Sequence, residues 1–386
     1  MEIHEKMKIA LLGFGTVGNS VYRLCKEQPA LQIKTVLDLR KLNIPETVTT
    51  SISDILNDKE IETVVELIGG HLPAYEFIKD CLNAKKNVVT ANKLVISKHY
   101  AELNRLAEQN GVAFLYSASC GGAIPWLPNL APASRVEPID EVCGIMNGTT
   151  NYIVERMTNE GLSFEACLAE AQKAGYAEAD PSSDIDGLDI LRKCVISANT
   201  AFGGVLSEDE VPVEGIRYLT GEDIAYFTEK RRKIKLIARA FRTGDGVCAY
   251  VEPTLLPKGD LMANIPLNYN YLTYHSPRCG IKGFYGEGAG GLPTAGAVVR
   301  DLLSIEEKMP LIRPAADKTL VNRADAEKHL YYLRTNSEVP FEKVSEVGNM
   351  NVYFVKETPA GMKALANAIR ESGHLCFYAG LQGELI

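Results

Sequence analysis

Apolar positions in the first third of the chain alternate between short continuous runs and helical spacing. A run over 8–12 ends in a glycine-punctuated turn, helical spacing covers 19–27, and a second run covers 32–37. The same alternation continues with strands predicted over 63–68, 87–90 and 112–116 and helices over 73–84 and 100–109. Strands and helices alternating at this spacing predict a mostly parallel, doubly wound sheet. Ligands bind such sheets outside the carboxyl ends of the strands, so the loops 67–71, 90–93 and 117–125 are expected to line one crevice.

The pattern changes after a proline-rich stretch. Pro125, Pro128, Pro132 and Pro138 mark a break, and a domain boundary is expected near Ala131. Beyond it, a helix over 185–201 and alternating strands over 247–253 and 269–274 predict an α+β substrate or dimerisation domain over 132–287. A glycine-rich segment, 283–291, leads into a helix over 295–305. The tail, 313–386, reads as strand 331–334, helix 341–347, strand 351–356, helix 361–371 and strand 375–378, a small ferredoxin-like unit.

Composition narrows the class. With 386 residues, 46% hydrophobic and 23% charged, the chain has material for two or three globular domains. No apolar run approaches the ~20 residues of a membrane span. The charged start, Met1 to Lys8, leads straight into a strand, so no signal peptide is expected. The net charge of −8, without a Lys/Arg block, argues against a nucleic-acid partner. Nine scattered cysteines with no CxxC pair suit reduced thiols in a cytoplasmic protein rather than zinc or disulfides.

The opening turn carries the clearest chemistry. Gly13-Phe14-Gly15-Thr16-Val17-Gly18 stands between a strand and a helix, and Asp38 ends the next strand about twenty residues on. Gly13 permits the tight turn, Gly15 lets the backbone approach a pyrophosphate, and Gly18 lets helix and strand pack closely. The helix N-terminus supplies N–H groups and the positive end of a dipole. The order strand, turn, helix, strand, acid makes this a dinucleotide-binding unit rather than a chance glycine turn. Asp38 favours a free ribose 2′-hydroxyl, whereas Arg40 and Lys41 could receive a 2′-phosphate. Either NAD or NADP is therefore expected.

Several further segments, in order from about residue 8 to 311, resemble the homoserine dehydrogenase family. They are 64–70 (VVELIGG), 88–93 (VVTANK), 144–153 (GIMNGTTNYI), 175–181 (GYAEADP), 184–189 (DIDGLD) with Lys193, and 288–295 (GAGGLPTA). The resemblance implies reversible, NAD(P)-dependent reduction of L-aspartate 4-semialdehyde to L-homoserine, on the way to threonine, methionine and isoleucine. It implies that 288–312 complete the Rossmann domain begun by 1–131, and that Gly69, Thr90, Asn92, Lys93, Gly288 and Thr294 join the cofactor site. It also implies at least a homodimer.

Hydride transfer to an aldehyde needs a proton donor at the carbonyl oxygen, and a base there in reverse. Lys93 and Lys193 are the candidates, with Lys193 preferred. Asp189, four residues before Lys193 on the same helical face, would orient it. From the family, Glu178 and Asp184 would hold the substrate's amino and hydroxyl ends, with Thr149 and Tyr176 in contact with it. Asp180 reads as a turn residue before Pro181, and Asp186 as a helix N-cap.

Two departures stand out. The loop 116–126 resembles the family's cation-binding loop, in which backbone carbonyls at Cys120, Gly122 and Ile124 would serve. Ser117 replaces the usual glutamate, which predicts a weak or absent sodium site. Cys120 reads as a buried filler. The tail resembles an ACT-type regulatory domain but is short, with Asn336–Pro340 where a glycine turn is usual, so weak effector binding is expected. Three other readings stand beside this one: another amino-acid dehydrogenase acting on aspartate or diaminopimelate, disfavoured by the paired lysines and the Glu178–Asp184 cluster; an aspartate-semialdehyde dehydrogenase, which would need a nucleophilic Cys with a His base that the motifs do not show; and a weakened paralogue that senses or scaffolds.

Overall fold

The computed structural model describes residues 6–309 and 318–383. The chain forms two compact units, one of Met1–Val136, Asn199–Val205 and Glu287–Thr319, the other of Glu137–Ala198, Leu206–Gly286 and Leu320–Ile386.

The first unit holds β1 (Met7–Leu12), α1 (Thr16–Lys26), β2 (Leu31–Leu37), β3 (Thr47–Thr49), α2 (Ile52–Leu56), β4 (Thr63–Glu66), α3 (Ala74–Asn83), β5 (Asn87–Thr90), α4 (Lys93–Asn110), β6 (Phe114–Leu115) and α5 (Trp126–Val136). The six strands are all parallel, in the order β3-β2-β1-β4-β5-β6. This is the doubly wound dinucleotide-binding arrangement, and β1 and β4 sit at its centre. Burial on both faces explains why these strands read as continuous apolar runs: Ile9, Leu11, Val65 and Val89 are fully buried. Val21 and Cys25 of α1 close the core on one side, together with Ala295, Val298 and Leu302. Helix α5 spans residue 131, with Pro132 inside it.

In the second unit, β7 (Glu141–Ile145) leads to α6 (Gly148–Glu160), α7 (Phe164–Lys173), α8 (Ser182–Ile185) and α9 (Leu188–Phe202), which ends in the first unit. Then come α10 (Gly221–Glu229) and the long antiparallel pair β8 (Arg232–Arg242) and β9 (Val247–Pro257), followed by β10 (Tyr269–Ser276) and β11 (Gly280–Glu287). The chain returns to the first unit for α11 (Gly291–Glu306). Its tail contributes β12 (His329–Thr335), β13 (Lys343–Val347), β14 (Met350–Glu357), α12 (Pro359–Glu371) and β15 (Cys376–Leu381). All these strands join one nine-stranded sheet, β11-β10-β7-β8-β9-β15-β12-β14-β13, so the tail extends the second unit's sheet through the parallel pair β15–β9. Residue 313, the expected start of the tail, lies outside the described residues.

Strand β12 is buried on both faces. Tyr331 and Leu333 pack with Met362 and Ile369 of α12. On the opposite face Tyr332 and Arg334 reach Asp223 of α10, at 2.8 and 2.7 Å. Asp223 is fully buried, and it also closes a capping box with Thr220. Removing Arg334 would leave that buried carboxylate with neutral donors alone, Tyr332 and Thr220, and no cation.

Three predicted elements need correction. Residues 341–347 were expected to be helical, but 343–347 form the edge strand β13. It turns into β14 through Gly348-Asn349, with Gly348 at φ +57°. A two-residue turn with a left-handed glycine at its first position is a hairpin turn, and it overrides the helical spacing. The helix expected over 185–201 is two helices, because Gly187 takes φ +86° between α8 and α9. A side chain there would strike Val213 at 2.9 Å. The helix expected over 100–109 begins at Lys93, because Asn92 caps it through Val95 N at 3.2 Å; it bends at His99.

Candidate functional site

In the first unit the glycine turn is built as expected. A Cβ on Gly18 would lie 2.3 Å from the Gly13 carbonyl oxygen, and one on Gly13 would lie 2.9 Å from the Leu67 carbonyl oxygen. Gly15 differs, because nothing lies within 4 Å of its missing Cβ. No side chain caps α1. An open cradle above Gly15, beside an uncapped helix N-terminus, fits a dinucleotide pyrophosphate. Phe14 turns inward and packs edge-to-face on Tyr22, Val17 joins the same core, and Thr16 stays exposed. The N-terminal turn of α11 closes on α1: a Cβ on Gly291 would lie 3.0 Å from Ser20 Oγ. Thr294 stands in that first turn. Gly288 lies against Gly122, whose own Cβ would meet the Gly288 backbone at 2.8 Å.

Asp38 and Arg40, weighed as rivals in the sequence, form one assembly. The Asp38 carboxylate accepts from Phe14 N at 2.8 Å, Arg40 N at 2.9 Å, Arg40 Nε at 2.9 Å and Arg40 Nη2 at 2.8 Å. The Arg40 guanidinium holds the Asp38 carboxyl far below the usual carboxylate range. Asp38 is buried, whereas Arg40 and Lys41 are exposed.

The loops after β4 and β5 are tied together by an acid that the sequence reading passed over. Glu66 ends β4 fully buried. It accepts from Thr90 Oγ1 at 2.6 Å, Ile68 N at 2.8 Å and Gly69 N at 3.3 Å. Burial raises its carboxyl, and these donors oppose that rise. The Thr90 hydroxyl also accepts from Asn92 N at 2.9 Å, and Asn92 Nδ2 donates to the Gly70 carbonyl at 2.8 Å. Thr90 and Asn92 therefore shape the loop with their side chains, while Gly69 and Gly70 present open backbone at φ +79° and +70°. Lys93 is the first residue of α4. An acid inside the apolar string 63–68 was the available signal for Glu66.

Ser117 does not leave its loop without a carboxylate. Asp301 of α11 accepts from Ser117 N at 3.0 Å and from Ser117 Oγ at 2.7 Å. Burial pushes the Asp301 carboxyl up to about 6, against the pull of these bonds. Asp301 thus brings a carboxylate from α11 to Ser117, and both of its oxygens are engaged there. Among the expected cation ligands, the Ile124 carbonyl already accepts Trp126 N at 2.7 Å, and Cys120 is fully buried. Among the described residues no group of three or more His, Cys, Asp or Glu side chains is arranged to hold a metal ion.

The second unit gathers the acid–lysine group. Asp189 and Lys193, one turn apart on α9, are both buried and lie 2.8 Å apart (Lys193 Nζ to Asp189 Oδ2). Lys193 Nζ also donates to the Met146 carbonyl at 2.6 Å. Both side chains are less than a tenth exposed, so this is not the solvated surface pair that an i,i+4 Asp–Lys spacing often makes. Asn147, quoted in the motif but given no role, links the acids: its Nδ2 donates to Asp184 Oδ1 at 2.7 Å and to Asp189 Oδ2 at 2.8 Å. It also caps α6 by accepting from Thr150 N, and only the fold shows which acids it reaches.

Thr149 donates its hydroxyl to the Tyr176 carbonyl at 2.6 Å, which fixes the turn carrying Tyr176 and Glu178. Both of those side chains are exposed. Asp180 accepts from Ser182 N at 3.1 Å, as a turn residue should. Asp186 is not the expected N-cap. It follows α8 and pairs with Arg217 through two contacts of 2.7 Å.

Comparison with known proteins decides the family. The homoserine dehydrogenase family profile matches residues 125–303, and its NAD-binding domain matches 13–117. A homoserine dehydrogenase of Synechocystis sp. is 40% identical over 316 residues, 78% of this chain and 73% of that one. One from Bacillus subtilis is 36% identical over 80% of this chain and 74% of its own. The chain belongs to the homoserine dehydrogenase family. The crystal structure of a homoserine dehydrogenase from Thiobacillus denitrificans superposes with a TM-score of 0.86 at 29% identity, covering 98% of both chains.

Membership makes the chain an NAD(P)-dependent oxidoreductase and homoserine dehydrogenase of amino-acid biosynthesis. The sensor or scaffold alternative gains no observation. No helix among the described residues is long and apolar enough to cross a membrane. A cavity of about 320 Å³ opens on the nine-stranded sheet, lined by residues including Glu141, Arg239, Tyr250 and Glu252. It contains none of the site residues expected from sequence.

Proposed function

We propose that Lys193, oriented by Asp189, is the proton donor in the reduction of L-aspartate 4-semialdehyde to L-homoserine, and the base in the reverse direction. The observation that carries this role is the buried pair itself. Asp189 Oδ2 and the Met146 carbonyl both hold the Lys193 ammonium, at 2.8 and 2.6 Å. A buried lysine aimed by two acceptors is positioned as a general acid rather than left as a mobile surface cation. Bound NAD(P)H would supply the hydride to the aldehyde carbon. Lys193 gives its proton to the carbonyl oxygen, and Asp189 keeps the ammonium aimed. In the reverse direction the neutral amine takes the proton of the homoserine hydroxyl.

Asp184 and Glu178 receive the substrate's hydroxyl and ammonium ends, and Thr149 holds the turn that carries Tyr176 and Glu178. Lys93 stands as the second acid–base candidate, at the start of α4. Gly13–Gly18, Gly69, Gly288 and Thr294 hold the dinucleotide by backbone. Arg40, Lys41 and Asp38 read its ribose, so both NADPH and NADH are accepted. The enzyme works as a cytoplasmic homodimer, and its shortened tail binds amino-acid effectors weakly. Saturable inhibition by threonine at modest concentration would contradict the last point.

The test follows NADPH and NADH oxidation at 340 nm with L-aspartate 4-semialdehyde, comparing wild type with Lys193→Ala. Turnover by the wild type and loss of most of the rate in the variant support both the reaction and the donor. Absence of turnover in a wild type that still binds NADPH overturns the reading.

A further inference from the structure

Asn147 stands at the junction of β7 and α6, and each polar atom of its amide has a partner. Oδ1 accepts from Thr150 N at 2.8 Å and Thr150 Oγ1 at 3.0 Å, which caps the helix. Because that oxygen is committed to a backbone N–H, the NH₂ group must point the other way. There it meets two carboxylates carried by different helices, Asp184 on α8 at 2.7 Å and Asp189 on α9 at 2.8 Å. The oxygen it reaches on Asp189 is the one that holds Lys193.

Two acids placed this close repel unless donors stand between them. Asn147 supplies those donors without adding charge, and so leaves the Lys193 ammonium with Asp189 instead of neutralising the pair itself. Gly187, at φ +86°, separates α8 from α9, and the Asn147 amide donates to an acid on each. We infer that Asn147 is a positioning residue for the proton-transfer group: it fixes the distance between the acid that meets the substrate and the acid that aims Lys193. This rests on the reading of Lys193 as proton donor.

The residue type suits that role. Aspartate would cap α6 equally well but would bring a third carboxylate and no donor. Serine would also cap, yet it has one proton for two acids. Asp184 from α8 and Asp189 from α9 accept from Asn147, and Lys193 from α9 shares the Asp189 oxygen.

The test uses Asn147→Ser and Asn147→Asp in the full chain, measuring kcat and KM for L-homoserine, the pH profile, NADPH binding and Tm. Both variants keep the cap, so NADPH affinity should hold; Tm should hold in Asn147→Ser, and in Asn147→Asp at low pH, where the new carboxyl is protonated, and fall as pH rises and that carboxyl ionises among like charges. In Asn147→Ser, kcat should fall about 10–100-fold, the scale of a small misplacement in an active site, with KM for homoserine raised. In Asn147→Asp, the loss should be deepest at high pH and partly reversed as pH falls. A carboxyl set between two others takes up a proton readily and then donates one hydrogen bond, which creates a pH limb absent from wild type and Asn147→Ser.

Wild-type kcat, KM and pH profile in both variants would overturn the inference while leaving the proton-donor reading intact. So would losses of kcat that only follow lost Tm and NADPH binding, since that is a cap defect. A wild type without turnover, or a Lys193→Ala variant with full rate, would overturn the underlying reading and this inference with it.

Discussion

The glycine turn of the first unit and the acid–lysine group of the second solve the problem of holding a polar ligand in opposite ways. The turn offers backbone. Gly13 and Gly18 leave no room for a side chain, and Gly15 leaves an open space. Its acid, Asp38, is already matched by Arg40 within the same loop. The second group offers side chains, drawn from β7–α6, α8 and α9, each held by another. A backbone cradle should therefore fail by steric change at one residue, with chemistry untouched. A side-chain network should fail by loss of rate, with dinucleotide affinity untouched.

The largest effect expected is on the second group. Lys193→Ala should lower kcat by about 10²–10⁴, the usual contribution of a positioned acid–base group. NADPH affinity, measured by fluorescence titration, should stay near wild type. A fall in NADPH affinity as large as the fall in kcat would erase the contrast between the two regions.

Asp301 sharpens the comparison, because it is a buried acid whose hydrogen bonds come from the neutral Ser117 N–H and hydroxyl, with Arg300 adding a smaller electrostatic pull. Its carboxyl moves from an ordinary 3.8 to about 6 on folding. Between those values the native state binds more protons than the unfolded one, so stability falls as pH rises through that window. The full shift corresponds to about 3 kcal/mol as an upper bound. Asp301→Asn has no such carboxyl. Its Tm relative to wild type should climb from pH 4 to pH 6.5 and level off above. A constant difference across that range would mean that the Asp301 carboxyl is not raised.

Gly15→Ala and Gly18→Ala form a matched pair. The first places a methyl in open space, so Tm should stay within about 2 °C while the NADPH Kd rises about 10–50-fold, because the dinucleotide must claim that space. The second drives a methyl into the Gly13 carbonyl and should lower stability by about 1–3 kcal/mol as well as affinity. Equal Tm losses in both variants would contradict an open cradle above Gly15.

The difference between the regions also explains what the sequence could show. The cradle was legible because each glycine acts by the absence of a side chain, and spacing alone reports that. Lys193 and Asp189 were legible because one turn of helix joins them. Asn147 was not, because its partners lie 37 and 42 residues away and the break at Gly187 hides which faces they share. Asp301 was hidden in the same way, 184 residues from Ser117. The misread element, expected as a helix over 341–347, contains the edge strand 343–347, whose exposed Val344 and partly buried Ser345 break the alternation that marks half-buried strands. The turn Gly348-Asn349 was the better signal there.

The smallest effect expected concerns Arg40, and it separates two ways of reading the ribose. Arg40 covers the Asp38 carboxylate with Nε and Nη2, and Nη2 also reaches the Phe14 carbonyl. A 2′-phosphate can use this guanidinium directly, since its exposed face is turned to solvent. A 2′-hydroxyl needs a carboxylate oxygen, so NADH must compete with Arg40 for Asp38. Arg40→Ala should act on the two cofactors in opposite directions. It removes the phosphate's partner and frees the hydroxyl's partner, and the ratio of kcat/KM for NADPH to that for NADH should fall about tenfold, the scale of one charge-assisted contact. Equal losses with both cofactors would make Arg40 a brace for the loop rather than a reader of the ribose. A rise with NADPH alone would mean that the guanidinium hinders the phosphate it is placed to receive.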